Sequence, residues 1–181
     1  EEFKEIPKPN LYLNTPKSKE YKQPWCMLQE RNTGTVWVGA QMGLLQLVNP
    51  ETKVLENHRL PVFRNSTIRS ISQDSEDNIW FTTQRGDLIR YQAGQPIENA
   101  SFELIREFNG FAFAHLVDNS GRVWVCTTDS GVFILDSKTG EIIRHLDDKV
   151  LSSNKQEKIT QLNDSIFVFG YDLLNVYNVN S

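Results

Sequence analysis

Apolar and polar positions alternate in short runs along most of this chain, and the runs recur. Thr35-Val36-Trp37-Val38-Gly39-Ala40-Gln41-Met42-Gly43 is echoed by Asn78-Ile79-Trp80-Phe81-Thr82-Thr83-Gln84-Arg85-Gly86 and again by Arg122-Val123-Trp124-Val125-Cys126-Thr127-Thr128-Asp129-Ser130-Gly131. A worn version stands at Ser165-Ile166-Phe167-Val168-Phe169-Gly170-Tyr171. The aromatic anchors Trp37, Trp80, Trp124 and Phe167 are separated by steps of 43, 44 and 43 residues. A fixed period in this range marks a repeat architecture.

Each repeat parses into the same four strands. The first runs over Trp25 to Glu30, Ile68 to Gln73, Phe111 to Asp118 and Ile159 to Asn163. It stops at turn-forming residues such as Asn32-Thr33-Gly34, Ser75-Glu76-Asp77-Asn78 and Asn119-Ser120-Gly121, which predict a hairpin. The second strand holds the anchor and is rich in β-branched and aromatic residues. Gly43, Gly86 and Gly131 end it, the third after a one-residue insertion. A third strand carries apolar residues three apart, Leu44 and Leu47, Leu88 and Tyr91, Val132 and Leu135, Leu174 and Tyr177. The fourth is weaker, over Val54 to Leu60, Ser101 to Glu107 and Ile142 to Leu146, with mixed charges suited to an exposed edge.

No stretch shows apolar residues at i, i+3, i+4 and i+7 with caps, so helices are not expected. Four antiparallel strands per repeat describe one propeller blade. A solenoid is the competitor, but its repeats are usually shorter or helical; a sandwich does not repeat its sequence. The expected fold is all-β, with about four four-stranded antiparallel blades. Residues 1–24 read as a lead-in strand and linker, and 25–178 as blades at approximately 25–61, 62–108, 109–150 and an incomplete 151–178.

Composition narrows the classes. A net charge of −4 over 181 residues, with no Lys/Arg cluster, argues against nucleic acid as a partner. No apolar run reaches the roughly 20 residues that span a bilayer. Cys26 and Cys126 lie two repeats apart and read as free, buried thiols. His58, His115 and His145 are scattered, with no two at metal-ligand spacing. No nucleophile elbow or phosphate-cradling loop is present. The expectation is therefore no catalytic residue, no metal and no cofactor, with His115 a packed structural histidine. Asp74 and Asp118 read as turn residues holding backbone N–H groups.

With these residues in view, the repeats resemble the two-component regulator propeller repeat. The second repeat matches its pattern at Ile68, Ile71, Asp74, Ile79, Trp80, Thr83, Gly86, Leu88 and Tyr91. The third matches at Asp118, Gly121, Val123, Trp124, Thr127, Gly131 and Val132. In the first, Arg31 stands where the motif has Asp; in the fourth the hairpin is shorter and Phe167 replaces Trp. The resemblance covers residues 25–178. It implies a fragment of a larger, typically seven-bladed propeller in the periplasmic sensor region of a hybrid two-component histidine kinase. A closed four-bladed ring, with Leu11-Tyr12-Leu13 as the missing outer strand of the last blade, is the alternative.

The function so implied is that of a non-catalytic, periplasmic ligand-recognition segment of a membrane-anchored parent. The resemblance implies an oligosaccharide as ligand and dimer rearrangement as the signal to a cytoplasmic kinase. An open fragment, with uncovered blade faces, is expected to self-associate as a homodimer. The anchor aromatics read as blade packing. Recognition is expected in the loops on one face, those between second and third strands and those between blades. Arg64, Gln84, Arg85 and Asp129 are the candidate ligand-binding residues there, Arg being suited to a carboxylate or sulfate. Two other classes stay open: a streptogramin-lyase-like propeller enzyme, which needs a histidine and acidic groups gathered with a metal, and a protein-interaction platform.

Overall fold

The computed structural model of the protein describes residues 23–52 and 54–180. Among the described residues, alternating side chains and glycine-rich turns fold into fifteen strands, grouped in four consecutive antiparallel sheets. Blade 1 contains β1 (Pro24–Gln29), β2 (Val36–Ala40), β3 (Leu44–Val48) and β4 (Leu55–Arg59). Blade 2 contains β5 (Ile68–Gln73), β6 (Ile79–Thr83), β7 (Asp87–Tyr91) and β8 (Phe102–Glu107). Blade 3 contains β9 (Ala112–Val117), β10 (Arg122–Thr127), β11 (Val132–Asp136) and β12 (Ile142–Leu146). Blade 4 has three strands among the described residues: β13 (Lys158–Gln161), β14 (Ile166–Gly170) and β15 (Leu174–Asn178). Leu11-Tyr12-Leu13, the expected fourth strand of a closed ring, lies outside the described residues.

Each sheet is a simple meander, and the first strands of successive blades pack side by side, β1 on β5, β5 on β9 and β9 on β13. They form the inner rim of a propeller. The core lies between blades. Trp37, Leu45 and Leu47 of blade 1 meet Ile71, Ile79, Phe81, Ile89 and Tyr91 of blade 2. Trp80 and Leu88 meet Val123, Val125 and Leu135 of blade 3. Trp124, Val132 and Ile134 meet Phe167, Phe169 and Tyr177 of blade 4. Trp37, Trp80 and Trp124 thus each project from a second strand onto the next blade.

An indole buried this deeply needs a partner for its N–H. In blade 2 the Asp74 carboxylate accepts from Trp80 Nε1 at 2.8 Å, from the backbone N–H of Glu76 and Asn78 at 2.9 Å each, and from Asn78 Nδ2 at 3.1 Å. In blade 3 Asp118 accepts from Trp124 Nε1 at 2.9 Å, from the N–H of Ser120 and Arg122, and from Arg122 Nε at 2.7 Å. One carboxylate closes the hairpin and receives the anchor of the same blade.

Blades 1 and 4 correct the repeat alignment in the same way. The hairpin-closing bond Asp74 N–H to Asn78 O has its counterparts in Glu30 to Thr35 and Leu162 to Ile166. The first hairpin is one residue longer, so Glu30, not Arg31, takes the place of the aspartate, and Glu30 Oε2 accepts from Trp37 Nε1 at 3.2 Å. Arg31 instead crosses to blade 2, where its guanidinium donates to the Asp74 carbonyl and, at 3.2 Å, to Asp77 Oδ1.

In blade 4 this register puts Val168, not Phe167, in the anchor's place. Phe167 is buried, but on the opposite face of its strand, stacked on Trp124 with centroids 3.9 Å apart and planes 18° apart. A one-residue slip in a strand turns every side chain to the other face. Leu162 stands where the aspartate would be, so carboxylate and indole are lost together and no buried donor is orphaned. In blade 1 the same bookkeeping of register places Leu45 and Val48, rather than Leu44 and Leu47, opposite the positions of Leu88 and Tyr91.

Candidate ligand-binding face at the channel mouth

The loops between second and third strands and the loops between blades share one face and are hydrogen-bonded to each other. Phe108 N–H donates to Gly86 O, Gly131 N–H to Asn154 O, and Gln84 N–H to Thr67 O. Gly86 has φ +98°, and a Cβ there would lie 2.4 Å from Phe108 O and 2.5 Å from Gly110 O. Gly131, at φ +78°, would put a Cβ 2.1 Å from Leu146 O. Both glycines are therefore set by a left-handed turn and by close contact with the next inter-blade loop.

At the start of each of the first three inner strands one residue bulges out of the ladder, between Pro24 and Cys26, between Ile68 and Ser70, and between Ala112 and Ala114. The bulged residues are Trp25, Arg69 and Phe113; such bulges re-aim a side chain. Glu157, just before β13, holds the matching position in blade 4. The Arg69 guanidinium lies 4.0 Å from the Trp25 ring centroid and 4.6 Å from that of Phe113. Its Nη2 donates to Gln84 Oε1 at 2.6 Å, while its Nε has no partner. Burial lowers the Arg69 pKa, and the charge of Glu157 opposes that shift. Nearby, Lys155 sits 3.4 Å over the Tyr171 ring and 3.7 Å from Glu157 Oε1, and Phe111 lies 5.9 Å from Phe113. The inner mouth is thus a stacked cation flanked by aromatic faces, with Trp25, Phe111 and Tyr171 exposed.

The four loop residues singled out from the sequence divide among three places. Gln84 joins the mouth through Arg69. Arg64 takes a left-handed conformation, pairs with Glu107 at 2.5 Å and faces the fully buried Asp87 at 3.7 Å. Asp87 accepts from Thr83 Oγ1 at 2.8 Å, and burial raises its pKa. Arg85 is exposed, its backbone N–H on Ser66 Oγ, and its charge helps to lower the Glu107 pKa, after the larger effect of Arg64. Arg64 and Arg85 therefore share Glu107 further out on blade 2. Asp129 is exposed one blade on, accepting from Thr128 Oγ1 beside Gly110.

Sequence reasoning missed Trp25, Arg69 and Phe113 because it counted them as strand framework, and it placed Glu157 on the recognition face only as part of the inter-blade tract Ser152 to Lys158, without singling it out. The signal was there: one position of the repeat holds four chemically different residues.

Other candidate chemistry is structural. His115 is buried between Ser72 Oγ, 2.7 Å from Nε2, and Thr82 Oγ1, 3.2 Å from Nδ1, and burial pushes its pKa down to about 3. It is a neutral bridge between blades 2 and 3. Among the described residues no three His, Cys, Asp or Glu side chains gather as a metal site. Both cysteines are free, and burial raises both thiol pKa values, that of Cys26 to about 12.

Fold and site together define a β-propeller segment with a polar and aromatic channel mouth. Residues 63–85, which contain the anchor strand of blade 2, match the two component regulator propeller family. No curated protein matches the chain. Among solved structures, the extracellular domain of the putative one component system BT4673 from B. thetaiotaomicron superposes with a TM-score of 0.72 at 17% identity, over 90% of this chain and 24% of that one. The extracellular domain of the putative hybrid two component system BT3049 from B. thetaiotaomicron gives 0.64 at 22%, over 86% and 20%. The computationally designed Ika4 protein gives 0.64 at 16%, over 90% and 94%. At these identities the likeness establishes the fold, and the chain spans about a quarter or less of the two bacterial domains.

Proposed function

We propose that this segment is a non-catalytic recognition unit in the periplasmic part of a membrane-anchored hybrid two-component sensor. It binds an oligosaccharide at the channel mouth, and the parent protein passes the signal to a cytoplasmic histidine kinase. The repeat match over residues 63–85 and the structural likeness to bacterial extracellular sensor domains support the class. The single observation that carries the ligand is Arg69, held between the rings of Trp25 and Phe113. Aromatic faces suit the C–H surface of a sugar ring, and a pre-oriented guanidinium suits a sugar hydroxyl or carboxylate. The ion-paired Arg64 and Glu107 form the outer wall on the same face.

Isothermal titration calorimetry with neutral and uronic-acid oligosaccharides tests the reading. Saturable binding is expected for at least one of them, weakened about tenfold or more by Arg69→Ala, the loss of roughly one charge-assisted hydrogen bond. Absence of binding by the wild-type protein across the series, or binding unaffected by both Arg69→Ala and Trp25→Ala, would overturn it.

A further inference from the structure

The connection between third and fourth strands is a short turn in blades 1 and 3, at residues 49–54 and 137–141, and a longer loop in blade 2, at residues 92–101. The two short turns close alike. Asn49 Oδ1 accepts from the N–H of Glu51 and Thr52, and Asp136 Oδ1 from those of Lys138 and Thr139. The longer loop is held along its length. Gln92 N–H donates to Ser101 O at 3.1 Å, Ala93 N–H to Asn78 Oδ1 at 3.2 Å, and the Tyr91 hydroxyl to Gln95 O. Asn99 Oδ1 accepts from Val62 N–H at 2.9 Å, and Ile97 packs against the core between blades 1 and 2. Insertions into single repeats lie in loops on one face, which is often a binding face.

This loop walls a cavity of about 540 Å³, whose lining includes Glu76, Asn78, Arg90, Gln92, Ser101 and Glu103. Glu76 also lines a second cavity, of about 200 Å³, that reaches between blades 2 and 3 to Ser137 and Lys138. The larger volume falls within the roughly 300–1,000 Å³ of small-molecule sites, which are mostly apolar. Here the lining is chiefly polar, so the matching ligand is polar on most sides. Part of the wall is pre-oriented. Arg90 Nη1 donates to Ser137 O at 2.9 Å, its Nη2 to Glu103 Oε2 at 2.7 Å, and its guanidinium lies 5.5 Å from the Trp80 ring centroid. Lys138 Nζ stands 3.5 Å from Glu76 Oε1. Each carboxylate keeps its second oxygen open, and the Gln92 amide and Ser101 hydroxyl make no side-chain hydrogen bond among the described residues.

We propose that this cavity binds a neutral, polyhydroxylated small molecule at a site separate from the channel mouth. An anion would face Glu76 and Glu103, and a cation would meet carboxylates already paired with Lys138 and Arg90. What stays available is a set of acceptors beside donors. Neighbouring hydroxyls match it, because each donates one hydrogen bond and accepts others. Consecutive strands of a blade are antiparallel, so the 92–101 loop lies at the opposite end of blade 2 from the loop that carries Gln84 and Arg85. The walls come from blades 2 and 3, each packed between two neighbours. The proposal is independent of the reading of the mouth, because the two sites share no residue.

Titration of the isotope-labelled chain with glucose, galactose, mannose and myo-inositol, followed by amide NMR, reads the site residue by residue. At least one of the four is expected to shift the backbone amides of Gln92, Ser101 and Glu103 saturably. Glucuronate and putrescine, an anion and a dication, are expected to leave them unmoved. Ala100→Trp, at an exposed position on the cavity wall, should abolish the shifts. Glu103→Ala should weaken binding about tenfold or more, the loss of one hydrogen bond to a charged acceptor. Arg69→Ala, at the mouth, should leave the affinity of this site unchanged. The proposal is overturned if none of the four shifts these amides, or if affinity is undiminished in either Ala100→Trp or Glu103→Ala. Glucuronate or putrescine binding there would overturn the neutral class. A sugar that shifts the amide of Arg69 but not that of Ser101 would support the mouth and overturn this second site.

Discussion

Removing the Asp74 carboxylate should reveal how much of a blade rests on one side chain. Asp74 accepts four N–H groups, two of them backbone donors of its own hairpin and one the Nε1 of Trp80, a residue with no exposure at all. Hydrogen bonds to a charged acceptor contribute roughly 1.5–3 kcal/mol each, and an orphaned buried donor costs about 1–3 kcal/mol. These terms overlap, so Asp74→Ala is expected to cost ~3–5 kcal/mol, in the upper tail of single substitutions. Trp80→Phe removes the donor and leaves space between blades 2 and 3, for ~2–3 kcal/mol. The quantity that tests the reasoning is the coupling. With the indole gone, Asp74→Ala should cost less by about 1.5–3 kcal/mol, the value of the lost charge-assisted bond. Urea unfolding followed by circular dichroism, with m-values checked for constancy, gives the four free energies of the cycle. Additivity within about 0.5 kcal/mol would refute the claim that carboxylate and indole act as one unit. The equivalent blade 4 residue, Leu162, is 63% exposed and pairs with no indole, so Leu162→Ala should stay within about 0.5 kcal/mol.

Two further perturbations separate framework from surface. His115 has a native pKa of about 3 against an ordinary 6.5, so below pH 6.5 the unfolded chain takes up a proton that the native state refuses. Its contribution is full above pH 6.5 and is lost as pH falls towards 3, by at most ~1.4 kcal/mol per pH unit, or ~2 kcal/mol between pH 7 and 5. His115→Gln should flatten the pH dependence of urea unfolding by about that amount, and an unchanged slope would count against a neutral native imidazole. Gly86→Ala meets both a positive φ and two carbonyl oxygens, whereas Gly94→Ala, at φ +76°, meets nothing within 4 Å. Thermal melting should show a cost of ~1–2 kcal/mol for Gly94→Ala, the left-handed backbone alone, and clearly more for Gly86→Ala; equal losses would remove the close-contact argument.

The repeat period, the four-strand blade and the role of the tryptophans were legible because blade packing imposes them at every repeat. The strand alternation that buries Trp80 also buries Phe81 against the other neighbour, and no other pattern does both. What a fixed period could not convey was hairpin length. Counting 43 residues from Trp124 lands on Phe167, yet the turn at Asn163 closes over the same span as the hairpins of blades 2 and 3, Leu162 to Ile166 against Asp74 to Asn78 and Asp118 to Arg122, so Val168 and not Phe167 stands at the anchor position. In blade 1 the hairpin is longer by one residue, and that hid Glu30 behind Arg31. A hydrogen bond between two strands, rather than a distance along the chain, decides which residues correspond.

The mouth residues were illegible for a related reason. Trp25, Arg69 and Phe113 leave the ladder at bulges, and a bulge is invisible to strict alternation because its extra residue reads as one more strand position. Yet the bulge is what frees them from blade packing. A residue inside the ladder must satisfy a neighbouring blade, and Ile79, Val123 and Phe167 show how narrow that choice is. A residue thrown out of the ladder towards the axis answers to no blade, so Trp, Arg, Phe and Glu can all stand at one repeat position. Gln84 shows how the two regions connect: it follows the buried end of β6, and its side chain reaches inward to fix Arg69. The repeated framework thus sets where chemistry can vary, and the variation is greatest at the rung where the inner strands depart from regular pairing.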